Sequence, residues 1–266
     1  MRLSPRLPAR NVNVSKANPL GDFALMLGTL AAAALALYAL LGFAVDLVAP
    51  RISFEIEQRI AISVLPRQPL FAKSHPAPAE IAALGERVRA AIGTVPHPVD
   101  VRVVDMDIIN AFALPGGHIV LTSGLIQTLQ SENEMAFVLG HEMGHIAARD
   151  HLRGMGRSLV LLAMSSAVLG DSGALGDLLG GMLVLTDRSF SRTQEMRADR
   201  SGLAAIVGVY GHAGGIPEFF SHLGDQNFGT LAHLALTHPE TQTRIAALEQ
   251  LVLDEGHATG PLTPLP

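Results

Sequence analysis

The stretch His141-Glu142-Met143-Gly144-His145 most narrows what this chain can become. Ser131 with Glu134 three residues on is a capping box, and good helix formers run from Met135 to Arg149, so the stretch falls inside a predicted helix. On a helix, positions i and i+4 share a face. The two imidazoles can therefore aim at one point, about 2.0–2.1 Å from a zinc ion. Glu142 lies one position round, placed to take a proton from water at the metal rather than to bind the metal. A helix whose histidines are only packed or solvated is the bland alternative, and the motif, the cap and the amphipathic context together weigh against it. A catalytic zinc usually has three protein ligands. The third must come from a second helix, so the fold has to bring two helices together here.

Glu195-Met196-Arg197-Ala198-Asp199 is the best source of that ligand. Glu195 and Asp199 stand at i and i+4, hence on one face. Glu195 can complete the site. Asp199 can accept the far N–H of His141 or His145 and so fix its tautomer. By itself such a pair would more often be an exposed acidic face, alternating here with Arg192, Arg197 and Arg200. Downstream of the paired histidines it reads as a ligand helix.

Charged residues make up only 16% of the 266, against 48% hydrophobic ones, where about 25% charged is usual. The shortage is concentrated in one place. Phe23 to Val45 is 23 residues without a charge, a helix of about 34 Å that can cross a hydrocarbon core of about 30 Å. It is too long for the apolar part of a signal peptide and lacks the polar stripe of a core helix. Arg2, Arg6, Arg10 and Lys16 precede it, while Arg51, Arg59 and Arg67 follow mixed with Glu55 and Glu57. The positive-inside rule then favours a cytoplasmic N-terminus and an extracytoplasmic remainder. A net charge of −5 leaves no basic footprint for nucleic acid. With no Cys there is neither a disulfide frame nor a thiolate metal site, which fits an oxidising compartment.

In order, residues 1–22 form an irregular segment in which Pro5, Pro8 and Pro19 break helices, and 23–48 the transmembrane helix. Residues 49–78, with five prolines, form a linker with a strand at Ile60–Leu65. A metallopeptidase domain occupies 79–255. It opens with a helix at Ala79–Ile92. Strands follow at Val99–Val104, Ile109–Ala113 and His118–Thr122 around the turn Leu114-Pro115-Gly116-Gly117, and then a short helix at Ser123–Leu129. Leu159–Thr186 is apolar and Gly-rich, but Asp171 and Asp177 divide it into pieces too short to cross a bilayer. It reads as a pair of core helices, or else as a hairpin lying on the membrane or covering the cleft. Ser191 with Gln194 caps a helix through Val209, another follows at Glu218–Leu223, and Thr237 with Glu240 caps a last helix to about Leu253. Residues 256–266 form a disordered tail. The fold class is α+β, mainly helical, with a small sheet beside the metal helix and no internal repeat.

With these elements placed, the sequence resembles the gluzincin metallopeptidases that include the CAAX prenyl protease, the HtpX heat-shock protease and the Oma-type quality-control proteases. The resemblance covers about residues 80–253. It rests on His141–His145, on Glu195–Asp199 with Gly202 after it, on Asn110-Ala111-Phe112-Ala113-Leu114-Pro115-Gly116-Gly117, and on His238-Pro239 with Arg244 six residues after the histidine. It implies a zincin-like domain with one zinc held by His141, His145 and Glu195, and with Glu142 as general base. His238 and Arg244 become candidates to stabilise the oxyanion. In some bacterial relatives the equivalent of His238 fills the fourth zinc position and holds the enzyme inactive.

The resemblance also implies substrate binding at Asn110, Ala111, Phe112, Gly117 and His118, an extended peptide pairing with a free edge of the His118–Thr122 strand. His75, His97, His118, His151, His212, His222, His233 and His257 are taken as non-ligands. A single span, where relatives have several, argues against prenyl processing inside a membrane chamber. The expected protein is a membrane-anchored zinc endopeptidase acting on unfolded or misfolded polypeptides near the membrane. A metal-stabilised binding or chaperone-like module is the alternative, and zinc-dependent hydrolysis of a non-peptide substrate a third reading.

Overall fold

A computed structural model describes residues 18–67, 69–169, 190–224, 238 and 242–265. Helix α1 (Pro19–Val48) is the apolar stretch. The proline expected to break it instead begins it. Pro19 sits in the first turn, where an N–H would have no intrahelical partner, and Asn18 caps the backbone of Gly21. None of its residues is buried, and it is long and apolar enough to cross a membrane. A 3₁₀ turn at Ala49–Arg51 leads into α2 (Phe54–Val64), capped by Ser53. Another 3₁₀ turn at Leu65–Arg67, the short α3 (Pro69–Ala72) and β1 (His75–Pro76) follow.

Next come α4 (Ala79–Ile92), β2 (Asp100–Val104), β3 (Ala111–Leu114), β4 (His118–Thr122) and α5 (Ser123–Thr128). The metal helix is α6 (Glu132–Ala147), and α7 spans Asp150–Leu169. After residues 170–189 come α8 (Arg192–Tyr210), α9 (Ile216–Gly224) and α10 (Gln242–Asp254). The cap expected from Thr237 and Glu240 lies outside the described residues, as do the N-terminal segment to residue 17 and residues 170–186.

The sheet runs β1-β2-β4-β3, with β2 parallel to β4 and the rest antiparallel. Alternation along β4 sends side chains to both faces. Ile119 and Leu121 join Val101, Ala111 and Ala113 against α4, α6 and α8, while Val120 joins Val104, Phe112 and Leu114 on the other face. That second face explains two corrections. The expected strand at Ile60–Leu65 is helical, and the expected linker is folded. Ala61 and Leu65, spaced i and i+4, cover the apolar face that would otherwise meet water, and Glu57 one turn earlier is buried on the same stripe. Gly116 and Gly117 both take positive φ in the β3–β4 turn. A Cβ on Gly116 would stand 2.8 Å from that of Ala61, so α2 lies tight against this turn.

The sheet order also corrects the free-edge expectation. β4 is flanked on both sides, because the β3–β4 hairpin places it between β3 and the parallel β2; among the described residues the edges are β3 and the two-residue β1.

The tail is likewise ordered rather than disordered. Glu132 donates its backbone N–H to Thr263 O (2.8 Å), Ala213 N–H to Ala258 O (2.8 Å) and Thr263 N–H to Asn133 Oδ1 (2.8 Å). Backbone pairing outside any apolar pattern left no signal of this in the sequence. α7 leaves Leu159 and Leu161 exposed, so these two side chains do not enter the core. It starts beside the end of α1, with Asp46 paired to Arg157 and Val45 against Gly156.

Candidate metal centre

Two helices make the site, and small residues let them approach. On α6, Gly140 and Gly144 face α8, and a Cβ on Gly144 would lie 2.9 Å from Ala198 Cα. From the other side, a Cβ on Gly202 would lie 2.7 Å from the ring of Phe137. This contact carries Glu195 to the paired histidines. We expect Gly140→Ala, whose methyl would run into Ala205 and the Ser201 carbonyl, to lower stability by about 1–3 kcal/mol in urea unfolding.

The nitrogens Nε2 of His141 and His145 stand 3.2 Å apart. Glu195 Oε2 is 3.6 Å from the first and Oε1 is 3.5 Å from the second. His238 Nδ1 lies 3.2 Å from His141 Nε2 and 3.1 Å from Glu195 Oε1. All four side chains are buried. Nitrogen or oxygen ligands about 2.0–2.1 Å from a tetrahedral ion are separated by roughly 3.3 Å, so these spacings fit one small cation.

Tautomers give an independent reason. His141 Nδ1 is 3.1 Å from Asp199 Oδ1, and His145 Nδ1 is 3.0 Å from Asp150 Oδ2. Carboxylates only accept, so in the neutral rings both Nδ1 atoms carry the proton and both Nε2 atoms present lone pairs to each other. Two lone pairs and a carboxylate facing inward call for a cation.

Asp199 thus serves His141, as expected of it. Sequence reasoning missed Asp150, which does the same for His145 and is itself held by Arg197 (2.7 Å), Arg153 (3.1 Å) and Gln194 (2.9 Å). It also missed Phe190, stacked on the His145 ring at 3.9 Å. A carboxylate just past the end of the motif helix was the available signal for Asp150; Phe190 had none. Burial alone would lower the pKa of His145, but without a metal ion the hydrogen bonds to Asp150 and Glu195 outweigh it and hold it up to about 9; a cation entering the cluster would take the place of the Nε2 proton that faces Glu195.

Burial alone would also raise the carboxyls of Asp150, Glu195 and Asp199, yet histidine and arginine partners hold all three below the usual carboxylate range. A carboxyl depressed in the folded state adds stability that is present above its ordinary pKa near 4 and is lost as pH falls through the folded value. We therefore expect the urea midpoint to drop between pH 5 and pH 3, and Asp150→Asn to flatten that slope.

Arg244 is buried, with Nη1 2.6 Å from Glu195 Oε2, Nη2 2.6 Å from Asp199 Oδ1 and Nε 2.9 Å from Asp199 Oδ2. Its guanidinium clamps the two carboxylates of α8, and the side chain also lines the cavity that His141, Glu142 and His238 share. Glu142 is buried with Oε1 3.6 Å from His238 Nε2, and its Oε2 makes no hydrogen bond among the described residues.

Of the residues expected to bind substrate, Ala111 lines the cavity of about 40 Å³ beside His141, Glu142 and His238. Asn110 is buried at the entry to β3, where its Oδ1 accepts from the Ala111 N–H at 2.9 Å. Phe112 belongs to the opposite face of the sheet. Gly117 packs near His97, and His118 pairs with Asp100 at 2.9 Å. The strand alternation and the central position of β4 carry these last three away from the cluster. Among the non-ligand histidines, His151 instead contacts Glu57 (2.9 Å), and His222 and His233 lie outside the described side chains.

Residues 77–252 match Peptidase family M48. The chain is 32% identical over 181 residues to the beta-barrel assembly-enhancing protease of Yersinia pestis, covering 62% of this chain and 37% of that one. It is 35% identical over 178 residues to the mitochondrial metalloendopeptidase OMA1 of Danio rerio, covering 61% and 37%. It is 35% identical over 108 residues to the metalloprotease LoiP of Escherichia coli, covering 39% and 42%. The chain thus spans about a third of the length of the first two relatives. With a match across both ligand helices, the β3–β4 hairpin and most of α10, the chain belongs to Peptidase family M48.

Proposed function

We propose that this chain is a zinc-dependent endopeptidase, anchored in a membrane by α1, with its catalytic domain on the extracytoplasmic side. The carrying observation is the buried carboxylate of Glu142, which lines the cavity with His141 and His238 and whose Oε2 has no hydrogen bond among the described residues. A purely structural site has no use for such a group. His141, His145 and Glu195 hold the ion. Asp199 and Asp150 keep the two rings in the ligating tautomer, and Arg244 keeps the α8 carboxylates ionised. Zinc, when bound, acts as a Lewis acid that polarises the scissile carbonyl and acidifies water. Glu142 Oε2 takes the proton of the attacking water and returns it to the leaving nitrogen. An extended peptide adds to the edge of β3 beside Ala111, so main-chain hydrogen bonds supply affinity with little sequence choice. Unfolded or misfolded polypeptides near the membrane suit that mode, and the quality-control members of the family support it.

A second reading, a metal-stabilised binding module, draws on one observation. His238 Nδ1 sits with the other three donors, and four protein donors are the usual set of a structural zinc. We reconcile the two by giving His238 the fourth position in a resting state. The test is cleavage of casein by the purified full chain, with and without chelator. Chelator-sensitive cleavage by the wild type, raised in His238→Ala, is expected. No cleavage by either protein would favour the binding module, and a fall to zero metal content in His238→Ala would remove the resting-state role.

A further inference from the structure

We propose that Glu57, in the helix directly after the membrane span, is a positioning residue for the metal centre, acting through the left-handed turn at Arg149. This inference rests on the metal reading above. Glu57 is fully buried, on a helix whose other charges face solvent. Its carboxylate gathers three groups from separate parts of the fold. The Gly116 N–H donates to Oε1 at 2.9 Å from the β3–β4 turn, His151 Nε2 lies 2.9 Å from the same oxygen, and the Arg149 guanidinium pairs with Oε2.

Arg149 is the unusual member. It is the single residue other than glycine with positive φ (61°) among the described residues. It stands just beyond the metal helix, a place normally given to glycine because a Cβ is strained there. The turn it makes starts α7 at Asp150 and brings that carboxylate back to His145 Nδ1 at 3.0 Å. Glycine would make the turn without help, whereas an arginine needs something outside the helix to hold it. The buried Glu57 does so. Arg197, Arg153 and Gln194 then take the remaining oxygen positions of Asp150. The line runs from α2 to Arg149, to Asp150 and to a metal ligand, so the segment next to the membrane is part of the scaffold of the site.

Loss of an outer partner of a metal-bound histidine costs about 10–100-fold in affinity. One step further out, Glu57→Ala is expected to weaken zinc binding by roughly tenfold, read by competition with a chromogenic chelator on the detergent-solubilised full chain. The discriminating variant is Glu57→Ala/Arg149→Gly, in which glycine takes the left-handed turn unaided. It should return zinc affinity to within a few-fold of wild type while its melting temperature stays below that of wild type, since the buried cluster is gone. Should Glu57→Ala fail to fold, Glu57→Gln keeps the volume and an acceptor for Gly116 and loses the charge that holds Arg149, with the same direction expected. Wild-type affinity in the folded single variant, or a double variant as weak as the single, overturns the proposal. A wild type that binds no zinc would instead overturn the metal reading, so the two failures are distinct.

Discussion

Replacing Glu142 by Gln is expected to leave zinc content unchanged and to lower cleavage of an unfolded protein by about 10²–10⁴-fold, the usual contribution of a general base. The amide keeps the volume and the buried position of the carboxylate but cannot accept a proton at Oε2. It also adds no charge beside the ligands, so His141, His145 and Glu195 keep their geometry. Metal content by atomic absorption and initial rates on labelled casein check the two halves separately. A variant that keeps its zinc and cleaves at the wild-type rate would remove Glu142 from the chemistry. One that loses its zinc would make Glu142 part of the binding set.

Replacing Arg244 by Ala is expected to destabilise the chain by about 3–5 kcal/mol, because two buried carboxylates lose their shared cation. Glu195 and Asp199 are nearly solvent-free, and Arg244 holds both. Without it their mutual repulsion has to be met by protonation or by movement of α8 relative to α6. Zinc affinity should fall in parallel, and added zinc should restore part of the lost stability, since a ligand that binds only the folded state stabilises it. Arg244→Lys should recover little, as one ammonium cannot bridge both carboxylates in the planar geometry of a guanidinium. Chemical unfolding with and without zinc measures this. A loss below about 1 kcal/mol, the range of an exposed ion pair, would refute the clamp.

Local periodicity was enough to place the groups of the candidate metal centre. His141 with His145 and Glu195 with Asp199 each lie four apart on a helix, so each pair shares a face whatever surrounds it. The start of α8 was legible for a similar reason, since both halves of the Ser191–Gln194 box form within four residues. The apolar length of α1 and the limits of α4 and β4 were equally local.

What tertiary structure alone decided are the contacts between residues far apart in the chain. Sheet order made β3 rather than β4 an edge strand, because side-chain alternation says which face a residue takes but not which strand lies beside it. The packing of α10 beside α8 brought Arg244 onto Glu195 and Asp199 as a clamp, a contact between residues some 45 apart in the chain. Glu57 looked like one acid among solvent-facing charges after the apolar helix, until the second face of the sheet required α2 as its cover. Its partners Gly116, Arg149 and His151 come from beyond the first strand and beyond the metal helix. A periodic pattern reports which way a side chain points, and the chain has to close on itself before what it points at exists.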